Sequence, residues 1–270
     1  MTKLWEARRA VESIEEEMLN LLRRRQFDAA DEKSRLIAKD TYERFVKPLN
    51  DCEVFQLIDE ITGGLAYRKG DFNIMRMVYC GSIIAWPEAI PDGGRVLEIG
   101  TGIGRTCYVA IEWANPSLFV TIDVSPFVLA IALFRNTVSA YRESLWRKHV
   151  KIVLYDSLKA ADALNLMFDH IIHDGGPNPR RNPALYSRES LYTLSKVLKL
   201  GGSMSIFAGR DRKWQNEIDR TLKSQGFEVK SASFQTHLHL FFTQQRKIEY
   251  LNNECIHRLI ISFLTIFDRI

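Results

Sequence analysis

The amino-acid sequence predicts an α/β fold: a doubly wound, seven-stranded sheet with an all-helical N-terminal extension and a C-terminal helix. Three observations support this prediction. The apolar run over residues 96–99 is typical of a buried strand, and three glycines follow it at alternate positions. A helical stretch comes next and ends at Asn115-Pro116. A second apolar run, residues 118–122, then ends in Asp123. Together these elements form the first unit of a nucleotide-binding sheet.

The glycine turn has the pattern Glu-x-Gly-x-Gly-x-Gly, formed by Glu98, Gly100, Gly102 and Gly104. Glycine allows a tight backbone turn and the close approach of a ligand, because it has no Cβ atom. Asp123 lies 19 residues beyond the last glycine, where an acid can accept hydrogen bonds from ribose hydroxyls. The pattern differs from the Gly-x-Gly-x-x-Gly of dinucleotide sites, which argues against NAD as the ligand.

Composition limits the classes of function. The chain has 270 residues, of which 46% are hydrophobic and 26% are charged, enough for one substantial core and an appendage. Its net charge of +4 does not by itself indicate a nucleic-acid partner. The four cysteines are scattered, which argues against a disulfide framework and favours a cytoplasmic protein. No apolar run is long enough to predict a signal core or a membrane span.

The N-terminal region, residues 1–66, is predicted to be all-helical. Its helices are expected near residues 3–25, 29–45 and 52–61. In the first helix, apolar residues recur at alternating steps of three and four, from Leu4 through Met18 to Leu21. This stripe can pack on the next helix, or it can form a coiled coil that makes a homodimer. Three heptads are short for an autonomous coiled coil, so packing on the next helix is the favoured interpretation.

The rest of the chain is predicted to form a ligand-binding domain at residues 67–246 and an amphipathic helix at residues 247–270. Further elements of the domain are expected as helices at 72–86, 125–141, 184–198 and 211–224, parallel strands at 151–155, 168–174 and 203–208, and an antiparallel pair at 227–234 and 236–243. Asp156 and Asp174 end two of the parallel strands, where open sheets bind ligands. The C-terminal helix is expected to dock on the domain or form a homodimer, because its polar face is not basic enough to favour a membrane surface.

The glycine turn resembles that of the class I methyltransferases that use S-adenosylmethionine (SAM), in which an acid before the glycines orients the loop. The resemblance implies that SAM is the cofactor, with its methionine part across the turn, its ribose on Asp123 and its adenine amino group on Asp156. Asp156 can equally cap the helix that follows it. The cofactor-binding residues implied by the resemblance are Glu98, Gly100, Thr101, Gly102, Gly104, Asp123, Val124, Asp156 and Ser157.

A narrower resemblance covers residues 168–242. The runs Phe-Asp-His-Ile-Ile-His-Asp, Leu-Tyr-Ser and Val-Leu-Lys-Leu-Gly-Gly are similar to a group of predicted archaeal methyltransferases and, more loosely, to the spermidine synthases. The first group usually carries Asp-Pro-Pro where this chain has Asp174-Gly-Gly-Pro177, which argues against methylation of a base amine. Spermidine synthases carry Gly-Gly-Gly-Asp-Gly where this chain has Gly100-Thr-Gly-Ile-Gly104, which argues against aminopropyl transfer.

Asp174 is the candidate catalytic residue, because a carboxylate at this strand end can hold an acceptor nitrogen or oxygen or take its proton. Alternation along the strand points His173 to the other face, and His170 is expected in the core. No metal site is expected, because no third ligand is evident beside His237 and His239. A set of basic residues near strand ends is either solvated loop charge or a site for an anionic acceptor: Arg180, Arg181, Arg210, Arg212 and Lys213.

Three functional hypotheses follow. The leading hypothesis is a SAM-dependent methyltransferase whose acceptor is a small molecule, with RNA as a weakly supported alternative. The second is an enzyme of the same fold that transfers an aminopropyl or aminocarboxypropyl group to an amine, as polyamine and nicotianamine synthases do. The third is a non-catalytic protein that binds the cofactor and acts through its helical ends.

Overall fold

The computed structural model joins the apolar runs of the sequence into one sheet. The structure describes residues 9, 11–62, 89–136, 138–176, 179–209, 211–234 and 237–243, with the backbone alone for 58–62 and 231–243. The strands are β1 (Arg95–Ile99), β2 (Leu118–Asp123), β3 (Val150–Leu154), β4 (Phe168–His173), β5 (Leu198–Phe207), β6 (Glu228–Phe234) and β7 (His237–Thr243). The helices are α1 (Glu15–Arg23), α2 (Phe27–Thr41), α3 (Asp51–Thr62), α4 (Arg105–Ala114), α5 (Pro126–Phe134), α6 (Ser139–Leu145), α7 (Ser157–Ala163), α8 (Arg188–Lys196) and α9 (Arg212–Ser224). A π-helical turn, Tyr42–Val46, continues α2, and a 3₁₀ turn, Pro183–Tyr186, precedes α8.

The strand order across the sheet is β3-β2-β1-β4-β5-β7-β6. The strands β1 to β5 are parallel, and β7 runs antiparallel to both β5 and β6. The α/β class and the parallel, Rossmann-like core are therefore as predicted. The order reverses between β1 and β4, and a reversal of this kind opens a crevice outside the carboxyl ends of the strands, where α/β sheets bind ligands.

Hydrophobic cores cover both faces of the sheet, because alternate side chains of each strand point to opposite sides. From β1, Leu97 and Ile99 join the core formed with α1, α7, α8 and α9, whereas Val96 joins the core formed with α4, α5 and α6. The helix α5 is apolar on all sides and buried from Pro126 to Leu133. A helix that is apolar on all sides must be covered on all sides, and α2 and the π-helical turn cover the face of α5 that points away from the sheet.

The helix α2 covers the edge strand β3. The backbone N–H groups of Ile152 and Leu154 donate to Asp31 Oδ1 and Ser34 Oγ, each at 2.8 Å. Ser34 is fully buried, and its own hydroxyl donates to the carbonyl of Ala30 at 2.7 Å. A bare strand edge exposes unpaired backbone groups, so these two side chains complete the sheet where it would otherwise end. The N-terminal helices are thus joined to the sheet by hydrogen bonds as well as by apolar contact.

The helix α1 packs its apolar stripe on the sheet domain, next to α7. Ile14, Met18 and Leu22 are buried in the core that also contains Tyr155. This corrects the predicted stripe in its last turn, because Leu22 is fully buried whereas Leu21 is only partly buried. The reason is that the helix packs against a sheet domain as well as the next helix, and this broader contact favours a wider apolar face than a strict three-four repeat.

Two predicted boundaries differ from the structure. The helix expected at 125–141 is two helices, α5 and α6, because Asn136 bonds to backbone groups at the break: its amide donates to Ile103 O at 2.7 Å, and its Oδ1 accepts from Val138 N at 3.0 Å. The strand β5 begins at Leu198, so Gly201 lies within the strand instead of ending a helix. A register shift between β4 and β5 near Phe168 and His170 accommodates the added residues.

Several expectations fall outside the described residues. These are the helix at 72–86, the start of the stripe at Leu4, and the amphipathic helix at 247–270. The division of the chain at residue 66 also falls there and stays a prediction. Among the described helices, none is long and apolar enough to cross a membrane.

Candidate functional site

The glycine turn is pressed between the end of β4 and the helix α6. Gly100 has φ +91°, and a Cβ atom at this position would lie 2.6 Å from the carbonyl oxygen of Asp174. Gly104 has φ +84°, and a Cβ atom there would lie 2.8 Å from a methyl carbon of Leu145 and 3.0 Å from Tyr141 O. Both positions therefore need glycine for conformation and for space. The turn is a rigid backbone surface at the switch point of the sheet.

Asp123 ties this turn to the end of β2. Its Oδ2 accepts from the backbone N–H of Gly102 at 3.2 Å, and its Oδ1 accepts from Ser125 N at 2.9 Å. Burial raises the pKa of Asp123 to about 6, although backbone N–H groups oppose that rise. The carboxylate is thus held in place by backbone N–H groups on both of its oxygens. The next residue, Val124, is 60% exposed.

Glu98 reaches the turn through two threonines. The hydroxyl of Thr121 donates to Glu98 Oε2 at 2.6 Å, and the hydroxyls of Thr121 and Thr101 are 2.7 Å apart. Thr121 has one proton and gives it to Glu98, so Thr101 is the donor in the second bond. Burial raises the pKa of Glu98 well above its usual value, and the charges of Asp174 and Asp123 add to the rise. The acid before the glycines therefore reaches the loop through the hydroxyls of Thr121 and Thr101.

Asp174 follows β4 directly, and its backbone N–H donates to Ile99 O at 2.9 Å. Its Oδ2 lies 3.9 Å from Nη2 of Arg105, the first residue after the turn. Burial raises the pKa of Asp174 to about 6, while the charge of Arg105 and a hydrogen bond with the Thr106 side chain work in the opposite direction. A carboxylate that titrates near pH 6 can accept a proton from an acceptor group at neutral pH.

Tyr186 is a site residue to which the sequence analysis gave no role. It is 2% exposed, and its hydroxyl has no hydrogen-bond partner among the described residues. Burial raises the pKa of Tyr186 well above its usual value, and the charge of Asp174 adds to the rise. The ring of Tyr186 packs against that of His173, the residue before Asp174. The run Leu185-Tyr-Ser187 is the feature of the sequence that could have identified Tyr186 as a site residue.

His173 points to the face opposite Glu98, as alternation along β4 predicts. It is fully buried, and its ring centroid lies 4.5 Å from that of Tyr186. Its Nε2 lies 2.9 Å from the carbonyl of Leu185, so Nε2 carries the proton and Nδ1 is an acceptor. Nδ1 has no partner in the described part of the chain. Burial lowers the pKa of His173, which keeps the ring neutral.

A cavity of about 260 Å³ opens between α7 and α8, beside the carboxyl ends of β1 and β4. Its walls are mainly apolar, and the buried hydroxyl of Ser190, like Nδ1 of His173, has no partner within the described segments. Small apolar pockets with a few polar groups are typical ligand sites. The residues that line it include Ile99, Ser157, Leu158, Ala161, His173, Ala184, Leu185, Ser190 and Leu194.

Asp156 caps the helix α7. Its Oδ1 accepts from Leu158 N at 2.8 Å and from Lys159 N at 3.4 Å, which satisfies two of the free N–H groups of the first helical turn. The cap is therefore the role that the structure shows, and contact with adenine stays a prediction. Ser157, the first residue of the helix, lines the cavity.

The remaining candidates lie away from this centre. His170 is fully buried between Ser203 and Ser205, with ring nitrogens 2.6 and 3.1 Å from the two hydroxyls, and burial lowers its pKa to about 3. It is a core residue, as predicted. Four of the basic candidates are exposed: Arg180, Arg181, Arg212 and Lys213. The fifth, Arg210, lies outside the described residues.

The metal prediction concerns residues that are described only in part. Among the described side chains, no group of three or more His, Cys, Asp and Glu residues is placed to hold a metal ion. The side chains of His237 and His239 lie outside that set.

Comparison with known proteins shows a distant relationship. No protein-family model matches the chain. An uncharacterized protein of Methanocaldococcus jannaschii is 31% identical over 150 residues, which cover 51% of this chain and 48% of that protein. The chain therefore matches about half the length of this relative. This relative bears no function in its name and assigns none here.

Solved structures share the fold. A spermidine synthase in complex with the transition-state analogue AdoDATO has a TM-score of 0.52 at 17% identity, over 68% of this chain and 70% of that chain. Spermidine synthase from Thermotoga maritima has a TM-score of 0.52 at 18% identity, over 68% and 69%. The fibrillarin pre-rRNA processing protein of Methanococcus jannaschii has a TM-score of 0.45 at 17% identity, over 59% and 69%. The two spermidine synthases show that this chain shares their Rossmann-like fold.

Proposed function

We propose that this protein is a SAM-dependent transferase, and that it transfers the methyl group to a small-molecule acceptor. The observation that carries the proposal is the rigid glycine turn at the switch point, which lies between Asp123 at the end of β2 and Asp174 at the end of β4. A backbone surface without Cβ atoms, with one acid on each side, suits a nucleoside that carries an amino-acid chain. The Rossmann-like fold supports the class of enzyme.

The cofactor would extend from the turn toward α7. Its methionine part would lie across Gly100, Gly102 and Gly104, and its ribose hydroxyls would donate to Asp123. The adenine base would lie beside Asp156 and Ser157, at the mouth of the cavity between α7 and α8. When bound, SAM supplies a sulfonium-activated methyl group, and this chain would orient the reactants and exclude water.

The acceptor would lie on the β4 side of the turn. There, the Asp174 carboxylate would hold the acceptor nitrogen or oxygen and take its proton, since burial raises its pKa to about 6. The buried hydroxyl of Tyr186 is a second group that can hydrogen-bond to the acceptor. The exposed arginines Arg180 and Arg181 lie in the loop after β4 and favour an anionic small molecule.

A second candidate function is transfer of an aminopropyl or aminocarboxypropyl group by the same fold. The observation in its favour is the acid at the end of β4, which suits a cationic amine as well as it suits a proton transfer. Arginines in the following loop oppose it, because they would repel a polyamine.

The test is a calorimetric titration of the protein with SAM, followed by turnover with methyl-labelled SAM and anionic metabolites as acceptors. We expect SAM to bind and label to pass to an anionic acceptor. Absence of binding would reject the cofactor assignment. Binding without turnover on small molecules or RNA would favour the non-catalytic alternative, in which the helical ends of the chain contact a partner.

A further inference from the structure

Arg105 is the first residue of α4 and follows the glycine turn directly. Its side chain is 25% exposed, and its Nη2 lies 3.9 Å from Asp174 Oδ2. Its Nε is buried and has no hydrogen-bond partner among the described residues. A guanidinium group thus lies between the turn and the end of β4, at the point where the methionine part of the cofactor would end.

The acids around Arg105 do not use its hydrogen-bonding capacity. A distance of 3.9 Å to Asp174 is well beyond the roughly 2.7–2.9 Å of a charge-assisted hydrogen bond, so that pair attracts without being bonded. Glu98 accepts a hydrogen bond from the Thr121 hydroxyl at 2.6 Å, and burial raises its pKa well above the usual value. Asp123 accepts from the backbone N–H groups of Gly102 and Ser125.

A guanidinium with free donors is the best protein partner for a carboxylate, because its planar N–H groups match two carboxylate oxygens. Leaving a buried N–H unpaired is costly, so a ligand group that pairs with it is bound more tightly than one that does not. In SAM, the only carboxylate is that of the methionine part. Decarboxylated SAM, the donor of aminopropyl groups, lacks this carboxylate.

We propose that Arg105 binds the methionine carboxylate of SAM and makes this protein selective for SAM over decarboxylated SAM. This inference depends on the proposed function and deepens it, because it separates methyl or aminocarboxypropyl transfer from aminopropyl transfer. Arg105 is then a specificity-determining residue of the cofactor site.

The experiment is a calorimetric titration of the full chain with SAM and with decarboxylated SAM, for the wild type, Arg105→Gln and Arg105→Lys. We expect the wild type to bind SAM more tightly by about tenfold or more, the strength of a charged hydrogen bond. Arg105→Gln should lose most of that preference while its affinity for decarboxylated SAM stays within about twofold, and Arg105→Lys should keep part of it.

Arg188→Gln is the matched control, because Arg188 is also the first residue of a helix but is exposed and does not itself line the cavity. It should leave both affinities unchanged. Equal binding of the two cofactors by the wild type, or an equal loss of both in Arg105→Gln, would overturn the inference while leaving a SAM-type cofactor in place. Binding of neither cofactor by the wild type would overturn the proposed function as well. Retained binding of decarboxylated SAM by Arg105→Gln shows that the variant is folded.

Discussion

The two sides of the glycine turn differ in how their polar groups are satisfied. On the β2 side, the hydroxyls of Thr101 and Thr121 bond to each other, and Asp123 accepts from the backbone N–H groups of Gly102 and Ser125. Glu98 Oε1 is the atom of this network that has no partner among the described residues. On the β4 side, the Tyr186 hydroxyl and Nδ1 of His173 are buried without partners among the described residues. Buried polar groups in folded proteins are almost always bonded, and exceptions concentrate at functional positions.

The difference indicates that the two sides of the switch point have different functions. The β2 side is a preformed cradle, whose geometry is maintained by bonds within the protein. The β4 side has buried polar groups without partners among the described residues. We propose that the acceptor reacts on this side. Substitutions on the first side should change cofactor affinity and stability together, whereas substitutions on the second should act mainly on turnover.

The largest effect on stability should come from Gly100→Ala, which breaks the cradle. The added Cβ atom would lie 2.6 Å from Asp174 O, at a φ of +91° that alanine disfavours. We expect a loss of about 3–5 kcal/mol in the free energy of unfolding and no measurable cofactor binding. Urea unfolding and calorimetry provide the measurement.

Gly201→Ala is the control for this variant. Gly201 has φ +78° but nothing within 4 Å of a Cβ atom, so it tests backbone strain without the clash. It should cost about 1 kcal/mol and leave cofactor binding intact. Equal losses in the two variants would contradict the view that the turn is pressed against β4.

Asp174→Asn should impair the β4 side of the site without affecting the β2 side. The amide cannot take a proton from the acceptor, so we expect turnover to fall by about 100- to 10,000-fold with cofactor affinity little changed. In the wild type, kcat/KM should rise with pH and level off above about 6, as Asp174 loses its proton. Asp169→Asn, at the other end of β4, is the control and should leave turnover unchanged. Full activity of Asp174→Asn would reject this role.

Asp123→Ala should weaken cofactor binding by about ten- to hundredfold, since it removes charged hydrogen bonds to the ribose worth about 1–3 kcal/mol. Stability should fall as well, because the bonds to Gly102 and Ser125 are lost. Asp211→Ala, which removes the cap of α9, provides the comparison: it should lower stability without changing affinity. Unchanged cofactor affinity in Asp123→Ala would reject the ribose assignment.

The free energy of unfolding should depend on pH through Asp123 and Asp174. Their pKa values in the folded protein are about 6, against about 4 in an unfolded chain, so the folded state binds more protons between these values. The contribution of each acid therefore falls as pH rises from about 4 to about 6, by about 1–3 kcal/mol, and is constant above. Urea unfolding of the wild type and Asp174→Asn across this range gives a difference that isolates Asp174. Parallel stability curves would show that its pKa is not raised.

The smallest effect on stability should come from Tyr186→Phe. Because the hydroxyl has no partner within the described residues, its removal should change the free energy of unfolding by less than about 0.5 kcal/mol while turnover falls. Tyr155→Phe is the matched control, since that hydroxyl lies 3.2 Å from Glu15 Oε1 and its loss should cost about 1 kcal/mol. A larger loss in Tyr186→Phe than in Tyr155→Phe would mean that the phenol is structural.

Local patterns in the sequence predicted the glycine turn and the acids at the neighbouring strand ends. The glycines after β1, the acid after β2 and the acid after β3 each follow a strand within a few residues, and strand order places them at one edge. The sequence allowed Asp156 to cap the following helix as well as to contact adenine, and the structure shows the cap. Asp174 is also placed at the switch point by its position after β4.

The sequence by itself therefore determined the fold class, the turn and the acids that border it, because these follow from local periodicity and from the order of strands. Tertiary structure alone decided the contacts made across long separations: α2 on the edge of β3, Thr121 bonded to Glu98, Arg105 near Asp174, and Tyr186 against His173. Burial also decided that the pKa values of Glu98, Asp123 and Asp174 are raised. The physical reason is that burial and charge depend on neighbours far away in the chain, which no local pattern records.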